Sequence, residues 1–124
     1  MDRKLFGKIM DFRMIHNDKA KDLSKEQIND IIKESIVSFD KTNPGPFSGY
    51  YNTIVALEEF GELTQELTKA LRGTPDRIGI IEELADVSLN VDYLKQIFNI
   101  TDEELEQARI IKMQRVKNKL RSKK

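Results

Sequence analysis

Four interruptions in an otherwise helix-periodic chain limit what it can fold into. At Ser24 to Gln27 the sequence "SKEQ" has the form of a capping box, in which the serine and glutamine side chains satisfy backbone groups at a helix start. Ile28, Ile31, Ile32 and Phe39 follow at helical spacing and predict a first helix to about Phe39. The stretch "DKTNPGPFSG" holds two prolines and two glycines, which break that periodicity and read as a loop. Ser48 is placed to cap a second helix running to Arg72, where Gly73 is a natural stop. Thr74 as N-cap, Pro75 at the first helical position and Asp76 in the first turn predict a third helix to about Phe98. From Thr101, "TDEE" repeats the capping-box form and opens a fourth. No strand pattern, repeat or low-complexity segment competes with this reading. The expectation is an all-α, four-helix-bundle-like domain over residues 24–122, preceded by a segment, residues 1–23, with a short helix.

Composition narrows the chemistry. A chain of 124 residues fits one domain, small enough that partner chains can complete its core. With no cysteine, disulfide scaffolds, zinc–thiolate sites and thiol nucleophiles are excluded, and a reducing compartment is compatible. The charged start "MDRKLFGKIMDFR" does not resemble a signal peptide, and no apolar run approaches the length of a membrane span, so a soluble, cytoplasmic protein is expected. The 21 acids balance 21 bases overall, yet from Gln107 onward there are eight Lys or Arg and no acid. Such a tail suits a solvated helix C-terminus. Nucleic-acid binding is its sharper alternative, but no stacking pattern or known nucleic-acid module accompanies it.

The acids are concentrated elsewhere. "ALEEFGELTQEL", Ala56 to Leu67, carries four glutamates and no base. At about 100° per residue, Glu59, Glu62 and Glu66 share one side of the second helix with Val55. On the third helix, Ser88, Asp92 and Lys95 mark a solvated side, and Glu83, Asp86 and Asn90 lie opposite, among Val87, Leu94 and Ile97. An inward carboxylate costs several kcal/mol of desolvation unless it is protonated, paired or bound to a cation. Few bases lie on either helix. Two acidic pairs, Glu59 with Glu62 and Glu83 with Asp86, can converge four oxygen ligands across a helix pair, a donor set that suits Mg²⁺ or, as a substitute, Mn²⁺. A di-iron bundle would need Glu-x-x-His pairs, and the only histidine, His16, belongs to neither.

"EEFGEL" followed by "EELADV", with 20 residues between the pairs, resembles the ExxE and ExxD signature of the MazG-like all-α nucleoside triphosphate pyrophosphohydrolases. The similarity covers about Asn52 to Leu120 and includes the later "IIKMQRVKNKL"; the first 50 residues match poorly. The resemblance implies Mg²⁺-dependent cleavage of an NTP or dNTP to a nucleoside monophosphate and pyrophosphate. It implies Glu59, Glu62, Glu83 and Asp86 as metal ligands, and a homodimer or homotetramer as the assembly. Glu58 falls toward solvent. Asn90, one turn beyond Asp86, is a candidate for binding sugar or phosphate and equally a satisfied core amide. Lys112 is similar to a lysine of the family's "KM" segment and projects between Leu105, Ala108 and Val116, where it either snorkels or aims a cation at the triphosphate. Arg115 is a weaker candidate of the same kind.

Glu59 is the candidate to orient or deprotonate the attacking water, with Lys112 adding electrostatic stabilisation. No glycine-rich phosphate loop or convincing nucleophile is present, which disfavours P-loop and covalent mechanisms. Two other readings remain: a catalytically inert helical oligomer that binds nucleotide or a partner protein, and a nucleic-acid-binding protein that uses the basic tail.

Overall fold

The computed structural model describes residues 22–122, and the expected helix before residue 22 lies outside them. These residues form four helices and no strand: α1, Lys25–Thr42; α2, Tyr51–Leu71; α3, Arg77–Ile97; and α4, Asp102–Ser122. The all-α reading holds. Among the described residues, no helix is long and apolar enough to cross a membrane.

Both predicted capping boxes form. Ser24 Oγ accepts from Gln27 N at 3.1 Å while Gln27 Oε1 accepts from Ser24 N at 2.8 Å. Thr101 and Glu104 exchange the same pair of bonds at 3.1 and 3.0 Å. Gly73 terminates α2 with φ 91°, a left-handed conformation that glycine adopts without steric cost.

Three boundaries differ from the sequence expectation. α1 continues from Phe39 to Thr42, because the Thr42 hydroxyl and the Asn43 amide donate to carbonyls of the last turn and support it ahead of the prolines. Ser48 does not cap α2. Its N–H is spent on Gly45 O, and Tyr50 takes the cap position without a side-chain bond. Thr74 does not cap α3 either: its hydroxyl donates to Lys69 O at 3.1 Å, closing the end of α2 instead. Asp76 is the N-cap, with Oδ1 accepting from Gly79 N at 3.1 Å. A carboxylate there also complements the positive end of the helix.

α2 and α3 pack along each other as the principal pair, and α1 lies against both. Gln96 Nε2 donates to Asn29 O at 2.9 Å and the Ser35 and Tyr93 hydroxyls meet at 2.6 Å, fixing α1 on α3. Among the described residues few are buried: Ile32, Ala56 and the two amides Asn52 and Asn90. α4 packs on no other described helix to a comparable extent. Its first residue, Asp102, instead forms ion pairs with Lys95 and, at 2.9 Å, with Lys25. Lys95, expected on the solvated side of α3, is therefore largely covered, its side chain 18% exposed between Asp92 and Asp102.

Candidate metal centre

The α2–α3 pairing decides which acids meet. Gly73 turns the chain back, so the two helices run antiparallel and the middle of α2 faces the first half of α3. Glu59, Glu62 and Glu83 converge there, each offering a carboxylate oxygen within 4.8 Å of the others. Asp86 stands against Glu59, one turn along α3 from Glu83. All four predicted acids thus belong to one cluster, with the three glutamates forming its tightest part.

The electrostatics are those of crowded like charges. Burial, then the neighbouring Asp86 and Glu62, push the Glu59 carboxyl up to about 7 from an ordinary 4.5. Glu83 is raised by the same physics, first by burial and then by Glu62 and Asp86. Glu59 Oε2 and Glu83 Oε2 are cut off from solvent and have no hydrogen-bond partner. Such orphaned acceptors are expensive, and carboxylates offer no donor with which to satisfy one another once ionised. Glu62 is exposed, giving the cluster an open side. A hard divalent cation fits this donor set: carboxylate oxygens only, two of them unpartnered, with room for retained water on the exposed flank.

Other candidates are placed differently. Asn90 is 8% exposed and donates its Nδ2 to Asp86 O at 2.8 Å, so it braces the backbone beneath a cluster member. Glu58 is exposed, as expected. Lys112 and Arg115 are exposed on α4, with no hydrogen bond or ion pair to the four acids among the described residues.

Sequence reading gave no role to three side chains of α2 and α3 that carry buried, unpartnered polar atoms. Glu66 continues the α2 acidic face; its Oε1 meets Lys69 at 3.1 Å and its Oε2 is buried and unpartnered. A β-carbon at Gly79 would come within 2.8 Å of Asp76 Oδ2 and 2.9 Å of Glu66 Oε2, so a larger residue there would have to displace the ends of both side chains. Arg77 has a buried, unpartnered Nη1. Asn52, seven residues before Glu59, is 4% exposed with Oδ1 unpaired. Its i−7 spacing from Glu59 was the one available signal, since both positions fall on the same side of α2.

No family model, characterised protein or solved structure matches this chain. The chemistry of the cluster therefore carries the functional argument.

Proposed function

We propose that the protein is a Mg²⁺-dependent nucleoside triphosphate pyrophosphohydrolase of the MazG-like kind, acting as a homodimer or homotetramer. The observation that supports this reading most is the convergence of Glu59, Glu62 and Glu83, with Asp86 beside them, around orphaned carboxylate oxygens on an antiparallel helix pair. The motif resemblance supplies the substrate class. These four residues would hold Mg²⁺, or Mn²⁺ in its place. A bound ion would supply positive charge for the phosphate oxygens of a triphosphate.

The chain's own groups have separable tasks. Glu59 would orient the attacking water or take its proton. Asn90 spends its Nδ2 on Asp86 O, leaving its carbonyl end as the acceptor for a sugar hydroxyl. Lys112, and secondarily Arg115, would supply positive charge to the triphosphate from α4.

A pyrophosphate-release screen over the common NTPs and dNTPs, with Mg²⁺ and with EDTA, tests the reading. Metal-dependent release from at least one nucleotide is expected. A flat result across the panel sinks hydrolysis of ordinary nucleotides and favours the inert oligomer, whereas DNA binding that weakens steeply with salt would favour the basic-tail reading.

A further inference from the structure

Among the described residues two polar side chains are buried, Asn52 on α2 and Asn90 on α3. Asn90 spends its Nδ2 on Asp86 O, whereas Asn52, 4% exposed, leaves Oδ1 with no hydrogen-bond partner. Asn52 is not a cap either, since the cap position of α2 belongs to Tyr50. A buried acceptor without a donor costs stability that an apolar residue of the same shape would not. Retained in a fold, such a group calls for a partner that the protein itself does not supply.

The register of the helix pair fixes where Asn52 stands relative to the acids. Glu59 meets Asp86, Glu62 meets Glu83, and Glu66 Oε2 lies over Gly79, so each step forward along α2 is matched by an equal step back along α3. Toward the start of α2, that register sets Asn90 one turn beyond Asp86. Asn52 follows two turns beyond Glu59, about 10.5 Å along the axis and on the same side of α2. The opposite direction is acidic, because Glu66 and Asp76 both approach Gly79. Polar groups therefore change in order along one line, from carboxylates to the Asn90 amide to the Asn52 amide. A nucleotide has the same order: phosphates that need cations, sugar hydroxyls, then a neutral base whose edge carries N–H donors.

We propose that Asn52 determines which base the site accepts, its Oδ1 taking a hydrogen bond from an N–H at the nucleobase edge while the phosphates lie at the acids and the sugar at Asn90. This rests on the nucleotide reading of the acidic cluster and adds the direction in which the substrate lies. Side-chain amides suit the task because they match the donors and acceptors of base edges without charge. Tyr51, next to Asn52 in sequence, packs edge-on against Phe39 of α1 at 5.9 Å and brings aromatic surface to the same end of the pair. A base with no donor at that point is rejected, since the buried oxygen then stays unpaired.

Asn52→Leu, close to asparagine in shape, tests the role in the full-length chain through hydrolysis of the common NTPs and dNTPs with Mg²⁺ and through melting curves. Wild type should favour one base, and the variant should lose roughly tenfold in kcat/KM for that base and less for the others, so the preference narrows. Without nucleotide the variant should melt no lower than wild type, because it removes an unpaired polar atom. An amide that serves packing alone gives the reverse, a lower melting temperature with base preference intact, and that result overturns the proposal. Asn52→Ala repeats the base comparison without filling the space that the amide occupies. Hydrolysis with an unchanged base preference in both variants, or a wild type indifferent to the base, sinks the role of Asn52 and keeps the hydrolase. No hydrolysis, but nucleotides that raise the melting temperature of wild type and not of Asn52→Leu, sinks the hydrolase and keeps the role of Asn52. A wild type that neither hydrolyses a nucleotide nor is stabilised by one overturns both.

Discussion

α3 and α4 are each 21 residues long, follow one another across a short turn, and have opposite fates. In α3 most residues are at least half-buried, including four that carry a charge or an amide: Glu82, Glu83, Asp86 and Asn90. In α4 the charged residues are more abundant, ten against six in α3, and are exposed. The difference lies in how polarity is distributed. α3 mixes acids into an otherwise apolar circumference, so packing it drags carboxylates inward and leaves Glu83 Oε2 without a partner. α4 segregates its charges along its length, acids first and bases after, so no single face can be buried within its own chain without a complementary one. Burial in α3 leaves carboxylate oxygens without partners, whereas the apolar residues of α4 are left uncovered among the described residues.

The largest expected effect comes from removing a carboxylate charge from the cluster between α2 and α3. Glu62→Gln or Asp86→Asn, each preserving shape, should reduce nucleotide hydrolysis a hundredfold or more, beyond what loss of a group supporting a metal ligand costs. Circular dichroism should show unchanged helix content. Hydrolysis at the wild-type rate in saturating Mg²⁺ would remove that residue from the centre. On α4, Lys112→Met should cost about tenfold to a thousandfold, the scale of one electrostatic contact. Unaltered kinetics there would take Lys112 out of the reaction.

The helices themselves were legible because capping boxes and glycine stops are local signals. Ser24, Thr101 and Gly73 act within one turn of backbone, and each does what its sequence context predicts. The caps at Ser48 and Thr74 were misplaced because several capping residues stood within a few positions of one another. Tertiary geometry then chose between them: Thr74 Oγ1 found Lys69 O, across the turn, and Asp76 was left to cap α3. The acid cluster was legible because antiparallel neighbours joined by a tight turn have little freedom of register. Asn52 and Arg77 were not, since burial of an amide or a guanidinium without a partner follows from packing and leaves no local pattern. Lys95 was misread for a related reason, its cover coming from Asp102 on the following helix.

A smaller effect sharpens the contrast through stability. Mg²⁺ bound only by the folded state raises the melting temperature, with about 2.7 kcal/mol gained at a hundredfold excess over its dissociation constant. Glu83→Gln removes a repelling charge, so without metal it should melt no lower than wild type, and its response to Mg²⁺ should shrink. Melting curves in EDTA and in millimolar Mg²⁺ decide the matter. Equal Mg²⁺ shifts in both proteins would place Glu83 outside the metal centre, and a variant altered on α4, Lys119→Gln, should keep the full shift.

The smallest effect is one of sign, and it separates the two regions by pH. Glu59 is held up at about 7 in the folded protein against an ordinary 4.5, so the folded state binds the extra proton between those values. Its contribution to stability is fully present below about 4.5 and disappears as pH rises through about 7. Asp102 behaves oppositely. Hydrogen bonds from Lys95 and Lys25 hold it down at about 2, below its ordinary 3.8, so the contribution of the α4 anchor is present above 3.8 and is lost as pH falls through about 2. In EDTA the wild-type melting temperature should therefore decline between pH 5 and pH 7.5, and Glu59→Gln should flatten that decline. Asp102→Asn should leave it unchanged but blunt the further acid loss below pH 4. An identical decline in Glu59→Gln would mean that crowding of carboxylates between α2 and α3 is not its source. Saturating Mg²⁺ should reduce the wild-type decline, because the cation takes over from the proton the work of neutralising the buried charge.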